Sequence, residues 1–293
     1  MKKIVLIMFC AFIMTMMFPN TARADMGPKP SVVIDFNGVE GKTYYATLLS
    51  NEKSTGPFSV LDESNDTLAH YQVGDEDYDI FLKFAEYSDV DGYYFLQFFK
   101  DCTQTNQFSW TYYPPQVFKI LLYFPETDSF VISDDYYERY AFDSYFTAEV
   151  SDTSFNAEIS YAEKSYAYTN EIFSLIIRVI LTIVAELGIA LLFGFRERKQ
   201  FRFIIFVNVI TQIALNLALN IINYRSGELA FIIFYVLLEA AVFITEAILY
   251  TWYLRKQSPK KIPGWKPGIY ALVANTASFV LGLGLAYWIP GIF

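Results

Sequence analysis

Histidine and cysteine are nearly missing from this chain: one His and two Cys stand among 293 residues. Cys10 lies in an apolar N-terminal run that reads as a leader, which leaves Cys102 alone, so a disulfide framework is excluded. Cys102 reads as a small, partly buried apolar residue. His70 has no neighbouring ligand pattern, and a metal site needs several ligands, so a surface-loop histidine is expected. From Thr169 onward there is no His, Asp or Cys at all, which removes the residues of zinc-dependent, aspartyl and Ser-His chemistry. No Gly-rich phosphate loop occurs. These absences point away from an enzyme, and neither a cofactor nor a metal is expected. Basic charge is also short: 22 Lys+Arg against 31 Asp+Glu gives a net charge of -9, which argues against nucleic acid as a partner.

What the chain has in quantity is apolar and aromatic character, 54% and 19% respectively, and the charges are unevenly placed. From Asp25 to Tyr168 there are 25 Asp+Glu and 8 Lys+Arg, net -17; from Thr169 onward there are 6 and 11, net +5. An acidic, aromatic first part followed by a basic, aliphatic second part reads as an exported domain joined to a membrane domain.

Residues 1–24 have the parts of a secretory signal: Lys2 and Lys3, the apolar run Ile4 to Phe18, then Ala22-Arg23-Ala24 as a cleavage site. An uncleaved anchor is the alternative, although the run is shorter than the ~20 residues a span needs. Residues 25–168 are the expected extracytoplasmic domain. Runs at 31–36, 43–49, 93–99, 108–113, 116–124, 130–132 and 145–150 are β-branched and aromatic with turn residues between, so seven or eight short strands in a sandwich or barrel are expected. Asp75 to Tyr87 differs. Tyr78, Phe81, Leu82 and Ala85 share one helical stripe and Ile80, Phe84 and Tyr87 a second, which predicts one short, broadly apolar helix against the sheets.

Residues 169–293 are the expected transmembrane domain, an all-α bundle of four helices. Its apolar stretches run from Ile172 to Phe195, Phe203 to Ile222, Leu229 to Tyr253 and Ile269 to Ile289, each long enough to span. The loops at 196–202 and 255–261 are basic and the one at 223–228 is not, which places the basic loops inside and both the N-terminal domain and the C-terminus outside the plasma membrane.

All four stretches carry polar groups. Arg178, Thr182 and Glu186 repeat every four residues on the first; Asn208, Gln212, Asn216 and Asn220 do so on the second. Glu239 and Glu246 fall about 20° apart on one face of the third, with Tyr235 and Tyr250 on the same stripe, and Asn275 lies on the fourth. A charged residue at mid-membrane costs about 2.5 to 3.5 kcal/mol on insertion scales, so something must offset it. Two readings stand. Polar side chains that bond one another are common glue between membrane helices. Alternatively, they line a hydrated site for a proton, a cation or a polar substrate, since three glutamates against one arginine leave unbalanced charge. Ala274, Ser278, Gly282 and Ala286 form a small-residue stripe that allows close helix approach.

In the first domain, Asp75-Glu76-Asp77-Tyr78-Asp79 and Ser88-Asp89-Val90-Asp91-Gly92 cluster carboxylates. The second is a fragment of calcium-loop grammar without its closing glutamate, and a tight turn is the simpler reading. Trp110, Tyr112, Tyr113, Tyr136 and Tyr137 fall in ring-dense stretches; exposed, they could grip a sugar or a peptide, and packed, they are core.

Met26 to Ser31, Tyr44 to Ser50, Phe118 to Pro125, Arg139 to Phe146, Val207 to Gln212 and Glu239 to Tyr250 together resemble a bacterial family of exported-domain, multi-span membrane proteins. The resemblance implies the architecture and no catalytic residue. The expectation is therefore a bacterial envelope protein that is not an enzyme, whose outer domain binds an envelope glycan or protein while its bundle sits in the lipid bilayer as anchor and relay. The rival is a proton- or cation-handling transport component using Glu186, Glu239 and Glu246. Four helices are few for such a task, so the rival also calls for a homo-oligomer.

Overall fold

A computed structural model describes residues 27–61, 71–153, 156–166, 168–258 and 262–288. The signal segment and His70 lie outside the described residues.

Among the described residues the β-rich part holds twelve strands: β1 (Ser31–Asn37), β2 (Tyr45–Ser50), β3 (Ser54–Thr55), β4 (Phe58–Ser59), β5 (Tyr94–Phe95), β6 (Lys100–Asp101), β7 (Gln107–Trp110), β8 (Val117–Phe124), β9 (Ser129–Ile132), β10 (Tyr137–Glu138), β11 (Asp143–Thr153) and β12 (Asn156–Lys164). One sheet has the order β12-β11-β1-β7, with β1 and β11 parallel and the other pairs antiparallel. The second has the order β10-β8-β2-β5, with β6 also on β2 and β9 also on β8. Val32, Ile34, Phe108, Trp110, Phe146 and Ala148 of the first sheet share a core with Ala46, Leu48, Phe118, Ile120 and Leu122 of the second, so the sheets pack face to face as a sandwich.

A second core lies behind it. Helix α1 (Tyr78–Glu86) buries Phe81 and Phe84 against Leu49, Leu121 and Tyr123 on the outer face of the second sheet. Strand β8 is therefore covered on both faces. Its sequence VFKILLYF is apolar almost throughout rather than alternating, as strands buried on two sides require. Burying each of the two phenylalanines is worth about 1.5 to 3 kcal/mol.

Lys119 is the exception inside β8. It faces the α1 side and is buried, with the Asp89 carboxylate 3.6 Å away and Asp91 in direct hydrogen bond. Asp89 also accepts from the backbone amides of Asp91 and Tyr93 at 3.2 Å each, and Gly92 takes φ 79°. The segment that resembles a calcium-loop fragment is thus a turn whose carboxylates hold a lysine ammonium.

The second part consists of long helices. α2 spans Tyr168–Leu192, α3 spans Arg198–Gln257 and α4 spans Trp265–Trp288. The 60-residue α3 is broken at Gly227, where φ 77° and ψ -178° leave the helical region. That conformation is open to glycine almost alone. The sequence predicts a loop over 223–228; the chain instead stays helical on both sides of one residue. Bonds from Gln200 to Ser258 and from Asn208 to Tyr250 show the two limbs running antiparallel. α2 and α3 are both long and apolar enough to cross a membrane.

The β-rich part touches the helices at the break. The Phe142 amide donates to the Tyr224 carbonyl at 2.9 Å, and the Tyr140 and Tyr166 rings lie 6.3 and 5.7 Å from that of Tyr224. The basic residues Arg198, Lys199, Arg255 and Lys256 lie at the opposite ends of the limbs.

Candidate functional site: a buried polar network among the helices

The helical part is polar inside and apolar outside. Glu186, Asn208, Gln212, Asn216, Glu246, Asn275 and Ser278 are buried, whereas Ile180, Phe206, Ile213, Leu217, Leu237, Ile248 and Val280 are among the many exposed apolar side chains. Water would favour the reverse distribution.

Three groups make up the interior. In the first, Asn208 Nδ2 donates to Glu186 Oε2 at 2.5 Å and to the Tyr250 hydroxyl at 2.9 Å. Ser278 approaches the other oxygen of Glu186 at 3.5 Å, and Tyr270 reaches its backbone carbonyl at 3.4 Å. Asn208 Oδ1 is buried without a hydrogen-bond partner. In the second, Glu246 accepts from Thr211 Oγ1 at 2.7 Å and from Asn275 Nδ2 at 2.8 Å, while Asn275 also bonds the Ala271 carbonyl. Tyr250 ties the first group together: its hydroxyl accepts from Asn208 and lies 3.4 Å from Glu186. Both carboxylates are fully buried.

The third group surrounds a small cavity lined by Arg178, Thr182, Gln212, Asn216, Tyr235, Glu239 and Ser278, among others. Arg178 donates to Asn216 Oδ1 at 2.9 Å, Asn216 donates to the Gln212 carbonyl, and Tyr235 and Glu239, one turn apart, both line the cavity. The space open to the centre of a water molecule is about 20 Å³, which suits a single water or a bare cation and is too little for an organic substrate.

The eight polar residues read from the sequence therefore converge, but not onto one point. Glu186 and Asn208 meet; Glu246 and Asn275 meet; Arg178, Gln212, Asn216 and Glu239 line the cavity. Thr211, Tyr250 and Tyr270 complete the network and are missing from that set. The signal for two of them was local: Thr211 follows Asn208 by three residues and Tyr250 follows Glu246 by four, so each shares its neighbour's face. Small residues on α4 give room. A methyl on Gly282 would stand 2.8 Å from the Tyr235 hydroxyl.

The aromatic candidates of the first domain do not form one surface. Trp110 is fully buried in the sandwich and donates its indole N–H to the Tyr112 carbonyl, so it belongs to the core and offers no ligand a face. Tyr137 packs on Phe118 and Phe146, and its hydroxyl accepts from the Ala162 amide. Tyr113 is half-buried over Gly56. Tyr112 and Tyr136 are exposed, at 40% and 59%.

Comparison with protein-family models, curated proteins and solved structures finds no match. No group of three or more His, Cys, Asp or Glu that could hold a metal ion occurs among the described residues.

Proposed function

We propose that this chain is an integral membrane protein of a bacterial envelope, with four crossings formed by α2, the two limbs of α3 and α4. Its β-sandwich recognises an extracytoplasmic glycan or protein, and the helices anchor it and relay the event. The observation that carries the reading is the docking of Phe142 on the helix break at Tyr224 and Gly227, which joins the outer domain to the limbs that bear Asn208, Glu239 and Glu246. The inverted polarity of the helices supports the membrane setting, since apolar faces outside and hydrogen-bonded polar groups inside suit lipid. Tyr112 and Tyr136, at 40% and 59% exposed, are the rings we assign to meeting a partner.

The test adds solubilised cell-wall glycan fragments to protein in lipid nanodiscs and follows amide exchange over residues 207–216 and 239–250. A change in the wild type that is lost in Tyr112→Ala/Tyr136→Ala and in Phe142→Ala is the expected result. Exchange that is unaltered by the glycan and by a lysate of envelope proteins would remove the relay.

A second reading, proton or monovalent-cation handling, is favoured by the water-sized cavity beside Arg178 and Glu239 and by the orphan amide oxygen of Asn208 next to Glu186. A proton on Glu186 would supply that oxygen with a donor once the amide turned over. Flux through liposomes that disappears in Glu239→Gln/Glu246→Gln would establish it. Absence of flux from folded protein would leave the network as structural glue.

A further inference from the structure

The end of the helices remote from the β-sandwich carries two adjoining grooves. One, about 830 Å³, is lined by Ala247, Ile248, Thr251, Trp252, Arg255, Lys256 and Ile262. The other, about 510 Å³, is lined by Arg196, Glu197, Arg198, Lys199, Lys256, Gln257 and Ser258. Lys256 borders both, so an apolar trough opens directly onto a basic one.

Among the described residues, Arg196, Arg198, Lys199, Arg255 and Lys256 make no ion pair. The single acid, Glu197, is occupied otherwise: it forms a reciprocal capping box with Gln200 at the start of α3. Arg255 and Lys256 in a last helical turn are favoured by the helix dipole whatever else they do. That accounts for cations at this position. Beside them runs the trough, whose walls Ile248 and Trp252 are 64% and 66% exposed and so open to an acyl chain.

We propose that the two grooves form a binding site for an anionic glycerophospholipid. Its acyl chain lies along Ile248 and Trp252, and its phosphate is held by Arg255 and Lys256, with the rest of the headgroup on the side of Arg198 and Lys199. Guanidinium and ammonium groups converging on one phosphate satisfy it from several directions, and Arg does so with a planar pair of donors. Antiparallel limbs make this possible, because the start of α3 and its end meet there through the 3.1 Å bond from Gln200 to Ser258. The inference rests on the membrane setting proposed above.

The experiment is native mass spectrometry of the full chain released from neutral detergent with phosphatidylglycerol or phosphatidylcholine. The wild type retains phosphatidylglycerol preferentially, inorganic phosphate does not displace it, and Arg255→Gln/Lys256→Gln binds it about thirtyfold more weakly. All substituted residues are exposed, and unchanged helical circular dichroism confirms folding; Arg198→Gln/Lys199→Gln serves as the second variant. Equal retention of both lipids, or unaltered retention in both variants, would overturn the site. Extraction of the protein from membranes by alkaline carbonate separates a failure of the membrane setting from a failure of this site.

Discussion

A Cβ added to Gly227 would lie 2.5 Å from the ring of Phe142, in a backbone conformation that is itself reserved for glycine. Two independent penalties thus fall on one position. Gly227→Ala is expected to destabilise by about 1 to 3 kcal/mol from the backbone alone, with the clash in addition. Phe142→Ala in the same chain should restore part of the loss and leave the backbone part. Thermal unfolding of both single variants and the double variant checks this, and a double variant no better than Gly227→Ala would show that the ring does not press on the break.

Lys119 and Asp89 are both buried, while Asp91 is 60% exposed. Lys119→Met leaves Asp89 without its cation and is expected to cost about 3 to 5 kcal/mol. Asp91→Asn should cost about 1 kcal/mol or less, since an exposed partner is already solvated. Chemical denaturation of the full chain distinguishes them. Similar losses in both would mean that the turn, rather than the ion pair, is what matters.

Burial pushes the Cys102 thiol up to about 12, and its Sγ lies 3.6 Å from the Lys100 carbonyl. At neutral pH the thiol is protonated and unreactive. A thiol-specific chromogenic disulfide should leave Cys102 unlabelled in the folded protein and label it after denaturation. Rapid labelling under native conditions would place Cys102 outside the core.

Asp128 accepts from the Lys83 ammonium at 2.6 Å and from the Tyr123 hydroxyl at 2.8 Å, and these bonds hold its carboxyl below the ordinary value. A carboxyl depressed on folding adds stability above its unfolded pKa, and that part is lost as pH falls through the folded value. Asp128→Asn should therefore lower the melting temperature slightly at neutral pH and have no effect under strongly acid conditions. The effect is small because both partners are exposed, and a difference that grows toward acid pH would contradict the assignment.

The sandwich was legible from strands such as 116–124 and the helices from their apolar runs, because burial writes itself into composition and period. The excess of rings was harder to read. Trp110 and Phe108 belong to one core and Phe81, Phe84 and Tyr123 to a second, so aromatic density that looks like a recognition surface is largely two layers of packing. Strand β12 has the weakly apolar sequence NAEISYAEK, in keeping with a place at the edge of its sheet. The polar faces of the helices could be read from spacing, since Arg178, Asn216 and Glu246 each recur with partners at intervals near four. Their pairing could not. Which of Glu186 and Glu246 meets Asn208 depends on helix rotation and depth, and these are set by contacts such as Gly282 with Tyr235. The break at Gly227 was foreshadowed by a polar segment, but its tightness follows from one glycine and its contact with Phe142.

The coupling of the β-sandwich to the helices is tested most directly by amide exchange in nanodiscs, comparing wild type with Phe142→Ala. Faster exchange over residues 220–232 and over the limb segments bearing Asn208 and Glu246, with β8 unchanged, is the predicted outcome. Exchange that rises only within the loop around residue 142 would show that the β-sandwich and the polar network are mechanically independent.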